Sequence, residues 1–207
     1  HRDLHSFPTR RSSDLAAKAP NLAHNFVMMT LIAFDDPGLV VLGYHRTLNG
    51  VPADKLANIK AKLNELFDSE TLTGNSDALV EQVDRLGANR RLLASVDSGG
   101  ATMLTLKESA VEPSWGALAA SEAWVLEEQV LRPELGDATL DHLDFMHDHE
   151  GAVAQAESGE LQMVFLLKPF PLDAFESIAG GGQRLPLKST LFFPKLPTGL
   201  VINRPDG

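Results

Sequence analysis

The chain of 207 residues is 43% hydrophobic and 22% charged, has a formal charge of −10 and contains no cysteine. This length is enough to bury a sizeable core, while the lack of cysteine excludes disulfides, thiolate metal sites and a cysteine nucleophile. The acidic balance argues against non-specific nucleic-acid binding. The longest apolar run, residues 26–34, is about half as long as a membrane-spanning helix. We therefore expect a cytoplasmic protein with neither nucleic acid nor a membrane as a partner.

Residues 1–15 have no hydrophobic period and no apolar segment of the kind found in a secretory signal. Their order resembles the conceptual translation of a common short-read sequencing adapter. We therefore expect residues 1–15 to be non-native, and residues 16–207 to be the C-terminal portion of a larger protein.

The first half of the remaining chain predicts strands, helices and a hairpin. Two apolar runs, residues 26–34 and 39–42, flank a turn and predict a pair of buried strands. A helical stripe made of Leu56, Ile59, Leu63, Leu66 and Phe67 predicts a helix. Ser76 predicts the cap of a second helix that Gly87 ends. Two further apolar runs, residues 91–96 and 101–106, predict a hairpin.

The second half predicts a long helix over residues 115–131, which Pro133 stops. Strands are expected at residues 143–147 and 161–168 and around Leu191 and Val201, with helices at residues 148–157 and 172–179. Because helices and strands alternate while some connections are tight turns, the fold class expected is α+β. The expected architecture is a mixed, partly antiparallel sheet with helices packed on it.

A sequence of four adjacent candidate metal ligands starts at His147 and ends at Glu150. Adjacent side chains at the junction of a strand and a helix diverge, whereas helical metal pairs need a spacing of three or four residues. Asp148 as a helix cap, with Glu150 in the first turn, is the preferred interpretation, and no metal site is predicted.

Two basic segments are candidates for binding an anion. Pro186 and Leu187 stand where a phosphate loop needs glycine and a backbone N–H, so the run of glycines before them does not make such a loop. Ammonium groups and hydroxyls nevertheless cluster after it, and an imidazole and a guanidinium end the second predicted strand. The candidate anion or ligand-binding residues are His45, Arg46, Lys188, Ser189, Thr190 and Lys195. The alternative interpretation is that these residues only build or solvate the fold.

Several stretches resemble the bacterial and archaeal domain-of-unknown-function 1015 family. The resemblance lies in residues 25–30, 36–42, 45–46, 164–169 and 185–202. The family usually has Pro-Thr before the His-Arg pair, where this chain has Gly43 and Tyr44. The resemblance implies a parent protein about twice as long. Its missing N-terminal half would carry an Asp-Gly-His-His-Arg element similar to one in the ParB/sulfiredoxin-like superfamily.

Some members of that superfamily phosphorylate free serine. The resemblance therefore implies that the full-length protein is a nucleotide-dependent kinase of a small amino or hydroxy acid, with magnesium accompanying the nucleotide. No residue of this chain matches the Asp-Gly-His-His-Arg element, so no catalytic residue is assigned, and we expect the fragment alone to be inactive. The alternative hypothesis is a non-catalytic lobe for ligand binding or for homodimerisation.

Overall fold

The computed structural model describes residues 31–33, 36–87, 91–193 and 195. By its internal contacts the chain divides into two units, Val40–Phe193 and a second unit made of His1–Leu39 with Pro194–Gly207. Few residues of the second unit are described. Among them is a turn in which the backbone N–H of Gly38 donates to Asp36 Oδ1 at 2.8 Å, so the predicted turn is confirmed. The adapter-like residues 1–15 and the predicted strand around Val201 lie outside the described residues.

The unit Val40–Phe193 contains the helices and strands discussed below. Its strands are β1 (Val40–Leu42), β2 (His45–Leu48), β3 (Phe67–Leu72), β4 (Leu92–Asp97), β5 (Gly100–Leu106), β6 (Leu143–Met146), β7 (Met163–Leu166) and β8 (Leu191–Phe193). Its α-helices are α1 (Ala53–Leu66), α2 (Ser76–Gly87), α3 (Glu122–Trp124), α4 (Arg132–Leu135), α5 (Thr139–His142), α6 (His149–Glu157) and α7 (Leu172–Gly180). A π-helix spans Val125–Leu131, and 3-10 turns span Glu108–Ala110, Pro113–Ala120 and Gly136–Ala138.

Six strands form one sheet in the order β3-β5-β4-β7-β2-β6, while β1 and β8 pair in a separate ribbon. Each described pair of strands is antiparallel, and helices pack on the sheet. The α+β fold class is therefore as predicted, with a sheet that is antiparallel in all its described pairs.

The six-stranded sheet separates two apolar cores. Successive side chains of a strand point to opposite faces, so Leu93 of β4 enters one core while Leu92 and Ala94 enter the other. Leu126 of the π-helix belongs to the first core and Val153 of α6 to the second. The central strands β4 and β7 are consequently covered on both faces, which explains their nearly continuous apolar sequences.

The predicted helix over the apolar stripe and the hairpin of β4 and β5 are both confirmed, except that Phe67, the last residue of the stripe, begins β3 and is not helical. The second helix begins at Ser76 as a helical residue, and its cap is Asn75, whose Oδ1 accepts from the backbone N–H of Ala78 at 3.1 Å. The predicted cap is thus displaced by one residue, since both side chains can accept a hydrogen bond at a helix N-terminus.

The predicted pairing of residues 26–34 with 39–42 is not what the described residues show. Residues 31–33 are not in a strand, and residues 26–30 and 34 lie outside the described residues. β1 pairs instead with β8, which is some 150 positions later in the chain, and its Val40 is 44% exposed. The turn chemistry between the two runs is local, whereas a strand's partner depends on long-range contacts.

The predicted helix over residues 115–131 is wrong in its boundaries. A 3-10 segment with a kink at Gly116 precedes the cap Ser121, and the continuous helical stretch begins at Glu122 and runs past Pro133 to Leu135. Proline is tolerated near the start of a helical turn because the N–H it lacks is not needed there. Pro133 occupies such a position, because it lies in the first turn of α4. The π-helix before it has backbone hydrogen bonds between residues five positions apart, such as the bond that Arg132 N–H donates to Glu127 O.

β3 was not predicted from the sequence. Its four central residues are polar and exposed, and only Phe67 and Leu72 at its ends are buried. The strand forms because it lies at the edge of the sheet and pairs with β5 along its whole length.

None of the described helices has the length and apolar character needed to cross a membrane.

Candidate functional site

His45 and Arg46 begin β2, an interior strand of the sheet between β7 and β6. Their side chains point to opposite faces because adjacent residues alternate across a strand. Both are buried, at 6% and 1% exposure. The sequence predicted a pair at the end of a strand, and the structure instead places both residues in the interior of the protein.

The guanidinium of Arg46 is held by protein acceptors. Its Nε donates to Glu127 Oε1 at 3.1 Å, in an ion pair whose two side chains are both nearly inaccessible. Nη1 donates to the carbonyls of Tyr44 (2.8 Å) and Lys188 (3.1 Å), and Nη2 donates to that of Leu187 (3.0 Å). Arg46 therefore ties β2 to the π-helix and to the turn before β8.

Burial opposes the charge on both members of this pair. It lowers the pKa of Arg46 and raises the pKa of Glu127, while each partner's charge acts in the opposite direction. The Arg46 guanidinium also lies 5.2 Å from the centre of the Phe145 ring, a cation–π distance. Five favourable contacts thus converge on one buried charge, as burial of an ion requires.

The hydrogen bonds of Arg46 also fix the backbone at Lys188. Its φ is 55°, a left-handed conformation that costs a residue with a Cβ about 1–2 kcal/mol, and it is the non-glycine residue with this feature among those the structure describes. The bonds from Arg46 to the carbonyls of Leu187 and Lys188 hold this turn in place. The Lys188 side chain is exposed, and its Nζ lies 5.3 Å from the centre of the Tyr44 ring.

The other predicted anion-binding residues of this region are placed differently. Ser189 Oγ donates to the carbonyl of Pro186 at 2.8 Å, so its hydroxyl closes the turn, and Thr190 is half-buried. Lys195 is exposed and belongs to the second unit of the chain. The structure therefore brings Arg46, Lys188 and Ser189 together, and an anion-binding role for the whole set stays a prediction.

His45 is a neutral residue at physiological pH. Its Nδ1 accepts from the backbone N–H of Leu167 at 3.2 Å, which leaves the ring proton on Nε2. Burial is the largest cause that lowers its pKa from 6.5 to about 4, and the charges of His149, Arg46 and His147 add to it. His45 therefore brings no positive charge to a predicted anion site.

Residues 147–150 form the N-terminal end of helix α6. Asp148 caps α6 and accepts from the backbone N–H of Gly151 at 3.2 Å, which confirms the cap, and Glu150 lies in the first turn. His149 Nε2 lies 2.8 Å from Asp77 Oδ1 of α2. In residues 31–33, 36–87, 91–193 and 195, no three His, Asp or Glu side chains are grouped as a metal site would need.

A second charged cluster, which the sequence did not predict, lines a cleft of about 520 Å³ at the end of the sheet where β4 begins and β5 ends. Glu122, 5% exposed, starts α3 after the cap Ser121. Its Oε1 lies 2.9 Å from Lys168 Nζ, which also donates to the carbonyl of Gly87 at 2.6 Å.

Two further cationic side chains, Arg91 and Lys107, line this cleft. Arg91 Nη2 donates to both carboxylate oxygens of the exposed Glu108, at 2.7 and 2.6 Å. Lys107 Nζ donates to the carbonyls of Asn64 and Glu65 at the end of α1. The cleft, which Asp173 also lines, thus carries charges of both signs.

The sequence held a signal for the buried carboxylates. Glu127 has Ala123 four residues before it and Val130 and Leu131 three and four residues after it. On a helix these residues share a face, so a carboxylate there must be buried and needs a cationic partner. The identity of that partner, Arg46, is a tertiary fact that no local spacing contains.

The sequence profile described as "Protein of unknown function (DUF1015)" matches residues 5–137, well over half of the chain. The chain belongs to this family. The match starts within the segment expected to be non-native and ends before the β8 region, on which part of the resemblance depended. No curated protein matches the chain significantly.

Solved structures that match the chain include a conserved hypothetical protein from Pyrococcus furiosus, which is 16% identical with a TM-score of 0.47 over 81% of this chain and 62% of that chain. They also include a free serine kinase in complex with AMP, 15% identical with a TM-score of 0.45 over 79% of this chain and 57% of that chain. The chain thus spans less than two thirds of the length of each of these proteins.

Proposed function

We propose that the turn at residues 186–190 binds an anionic group of a small ligand. In this proposal the full-length protein is a kinase that transfers a phosphoryl group from a nucleotide to a small amino or hydroxy acid. The observation that supports the binding part is Lys188, which two hydrogen bonds from Arg46 hold in a left-handed conformation. Strained backbone that the surrounding structure over-determines is concentrated at functional sites.

Each residue would have a distinct task. Lys188, which is exposed, would contact the anion, whereas Arg46 is buried and would act as a positioning residue by fixing the turn. Ser189 stabilises the same turn through its bond to Pro186. A fixed ammonium group loses less conformational entropy on binding than a freely rotating one, so the clamp would increase affinity.

Phosphoryl transfer itself comes from the family resemblance. The described residues contain no group of three carboxylates or imidazoles that could hold a metal ion. In this proposal the nucleotide with its metal belongs to the part of the protein upstream of this chain.

The variant Lys188→Gly tests the anion site without disturbing the turn. Glycine adopts a φ of 55° without the Cβ penalty, so the fold should be kept to within about 1 kcal/mol while the ammonium is lost. Calorimetric titration with inorganic pyrophosphate and with ADP should show binding to the unaltered chain and a loss of about tenfold or more in the variant. Lys60→Ala, which removes an exposed lysine of α1, is the matched control. Equal affinities in Lys188→Gly and the unaltered chain would contradict the proposal.

The kinase part has its own test. Nucleotide consumption by the full-length protein, with L-serine and small hydroxy acids as acceptors, should depend on the acceptor. A protein that binds pyrophosphate through Lys188 but shows no turnover with any acceptor would retain the anion site and reject the kinase.

A non-catalytic dimerisation lobe is the second candidate, which the ribbon of β1 and β8 favours. Phe193 is 54% and Val40 is 44% exposed, and an exposed apolar strand edge is a common site of self-association. This candidate predicts that light scattering gives a mass that rises with protein concentration to that of a dimer, with no turnover. A monomer at all concentrations would rule it out.

A further inference from the structure

We propose that a second cleft, beside the edge strand β6, binds a small primary amine in its ammonium form, with the alkyl chain of the amine on the apolar wall of the cleft. This β6 cleft has a volume of about 470 Å³, which lies in the range of small-molecule sites. Its walls come from β2, α5, β6 and α6 and from the residues that follow β2 and α6. The inference goes beyond the anion site proposed above, because it concerns a ligand of the opposite charge and a different set of residues.

The hydroxyl of Thr47 indicates a polar ligand in the β6 cleft. Thr47 is 2% exposed and lines the cleft, and no group in the described part of the chain forms a hydrogen bond with its Oγ1. Unlike Glu122 Oε1, the Thr47 oxygen is not sealed from solvent, so it keeps a surface that is open to the cleft. A buried hydroxyl without a partner is destabilising, and a ligand N–H would satisfy it.

A carboxylate lies directly opposite this hydroxyl. Asp144 of β6 is the cross-strand partner of Thr47, it also lines the cleft, and its side chain is exposed. Directly opposed side chains share a face and have Cβ atoms about 4.5–5.5 Å apart, so one ammonium group can donate to both residues. Asp144 Oδ1 accepts from the backbone N–H of Phe145 at 2.7 Å, which holds the carboxylate in place and leaves Oδ2 for a ligand.

The charges around the β6 cleft favour a cation. Asp141 lines it together with Asp144, and neither carboxylate forms an ion pair with any residue that the structure describes. Among those residues no lysine or arginine lines the cleft, and His142, which does line it, donates from Nδ1 to the carbonyl of Asn49 at 3.1 Å. Two carboxylates without a cationic partner attract a cation and repel a ligand carboxylate. An amine without a carboxylate therefore fits this cleft better than an amino acid does.

The rest of the wall suits a hydrocarbon chain. Leu140 of α5 is 50% exposed and lines the cleft, as do three further apolar residues, Leu143, Met146 and Leu161. An alkyl chain that packs on these side chains removes apolar surface of the protein and of the ligand from water. An inorganic cation would leave this apolar wall exposed, so the two walls together favour an alkylammonium ion.

An NMR titration of the isotope-labelled 207-residue chain tests the inference, because it also detects the weak binding expected of so small a ligand. The probe is n-butylammonium. Its matched analogues are n-butanol, which lacks the charge, butanoate, which reverses the charge, and ammonium chloride, which lacks the chain. We expect n-butylammonium to shift the amide resonances of Thr47 and Asp144, with an affinity about tenfold or more above that of each analogue. Absence of these shifts, or equal affinity for any one analogue, would overturn the inference.

Two single variants assign the binding to the β6 cleft. Asp144→Asn removes the charge, while the asparagine oxygen still accepts from the N–H of Phe145, so the fold should be kept. Thr47→Val keeps the shape and the strand preference of the side chain and removes the hydroxyl. Asp144→Asn should weaken n-butylammonium binding about tenfold or more, and Thr47→Val about threefold or more. Unchanged affinity in either folded variant would overturn the assignment, and Asp144→Asn decides it if Thr47→Val does not fold.

The matched control is Glu70→Gln. Glu70 is an exposed carboxylate of β3, the other edge strand of the same sheet. Its loss changes the net charge of the chain by the same amount as Asp144→Asn and should leave n-butylammonium binding unchanged. An equal loss of affinity in Glu70→Gln would show that the net charge of the chain, and not the β6 cleft, attracts the amine, and would overturn the inference.

Discussion

Replacing Arg46 by methionine removes the charge on which β2, the π-helix and the turn before β8 converge. The side chain of Glu127, 4% exposed, would then lose its ion-pair partner, and the carbonyls of Tyr44, Leu187 and Lys188 would lose their donors. Breaking a buried pair by removing one partner costs about 3–5 kcal/mol. We expect a loss near the middle of that range, a large fraction of the free energy of unfolding of a typical domain.

Urea unfolding followed by far-UV circular dichroism measures this loss, provided that the m-value is unchanged. The double variant Arg46→Met with Glu127→Leu should recover part of the stability, with a coupling energy of about 2 kcal/mol, because it leaves no unpaired charge. Lys60→Met breaks an exposed pair and should cost about 1 kcal/mol or less. A loss under about 1 kcal/mol for Arg46→Met, or strict additivity of Arg46→Met and Glu127→Leu, would refute the clamp.

Three further predictions concern pH, capping and packing. The folded pKa of His45, about 4, lies below its ordinary 6.5, so the unfolded chain takes up this proton first. The stabilisation of the fold by neutral His45 is therefore complete above pH 6.5 and is lost as the pH falls towards 4, by up to about 3 kcal/mol. His45→Asn keeps an acceptor for the N–H of Leu167 and should flatten the dependence of the urea midpoint on pH. Asp148→Ala should cost about 1 kcal/mol in the same assay and Asp148→Ser much less, and equal losses would contradict a cap. Phe165→Ala, at a fully buried position of β7, should cost about 3–5 kcal/mol, and a loss under about 1 kcal/mol would mean that the core can close over the gap.

Helix α1 and the hairpin of β4 and β5 could be predicted because their signals are local. The leucine and isoleucine stripe repeats with the helical period, and the Asp-Ser-Gly-Gly turn joins two apolar runs that are adjacent in the chain. β3 could not be predicted, because its polar centre becomes a strand only through hydrogen bonds to β5. The end of the long helix was misplaced for a related reason: the π-helix before Pro133 changes which backbone N–H groups are needed.

The candidate sites show the same division between local and long-range information. Lys188 was predicted as a lysine beside Ser189, and Arg46 separately as part of a His-Arg pair. Only the fold shows that Lys188 is exposed and strained while Arg46 is buried and holds it. Glu122 and Lys168 are 46 positions apart and have no shared motif. Their ion pair exists because α3 and the end of β7 meet beside the same cleft.

The sequence by itself determined the α+β class, the cap at Asp148 and the family, since each depends on residue types at short spacings or on whole stretches of similar sequence. Only the tertiary structure decided which strand pairs with β1, which charges are buried and which partners compensate them. The physical reason is that burial and ion pairing act through space. Two residues far apart in the chain affect each other's pKa and stability only after folding has removed the water between them.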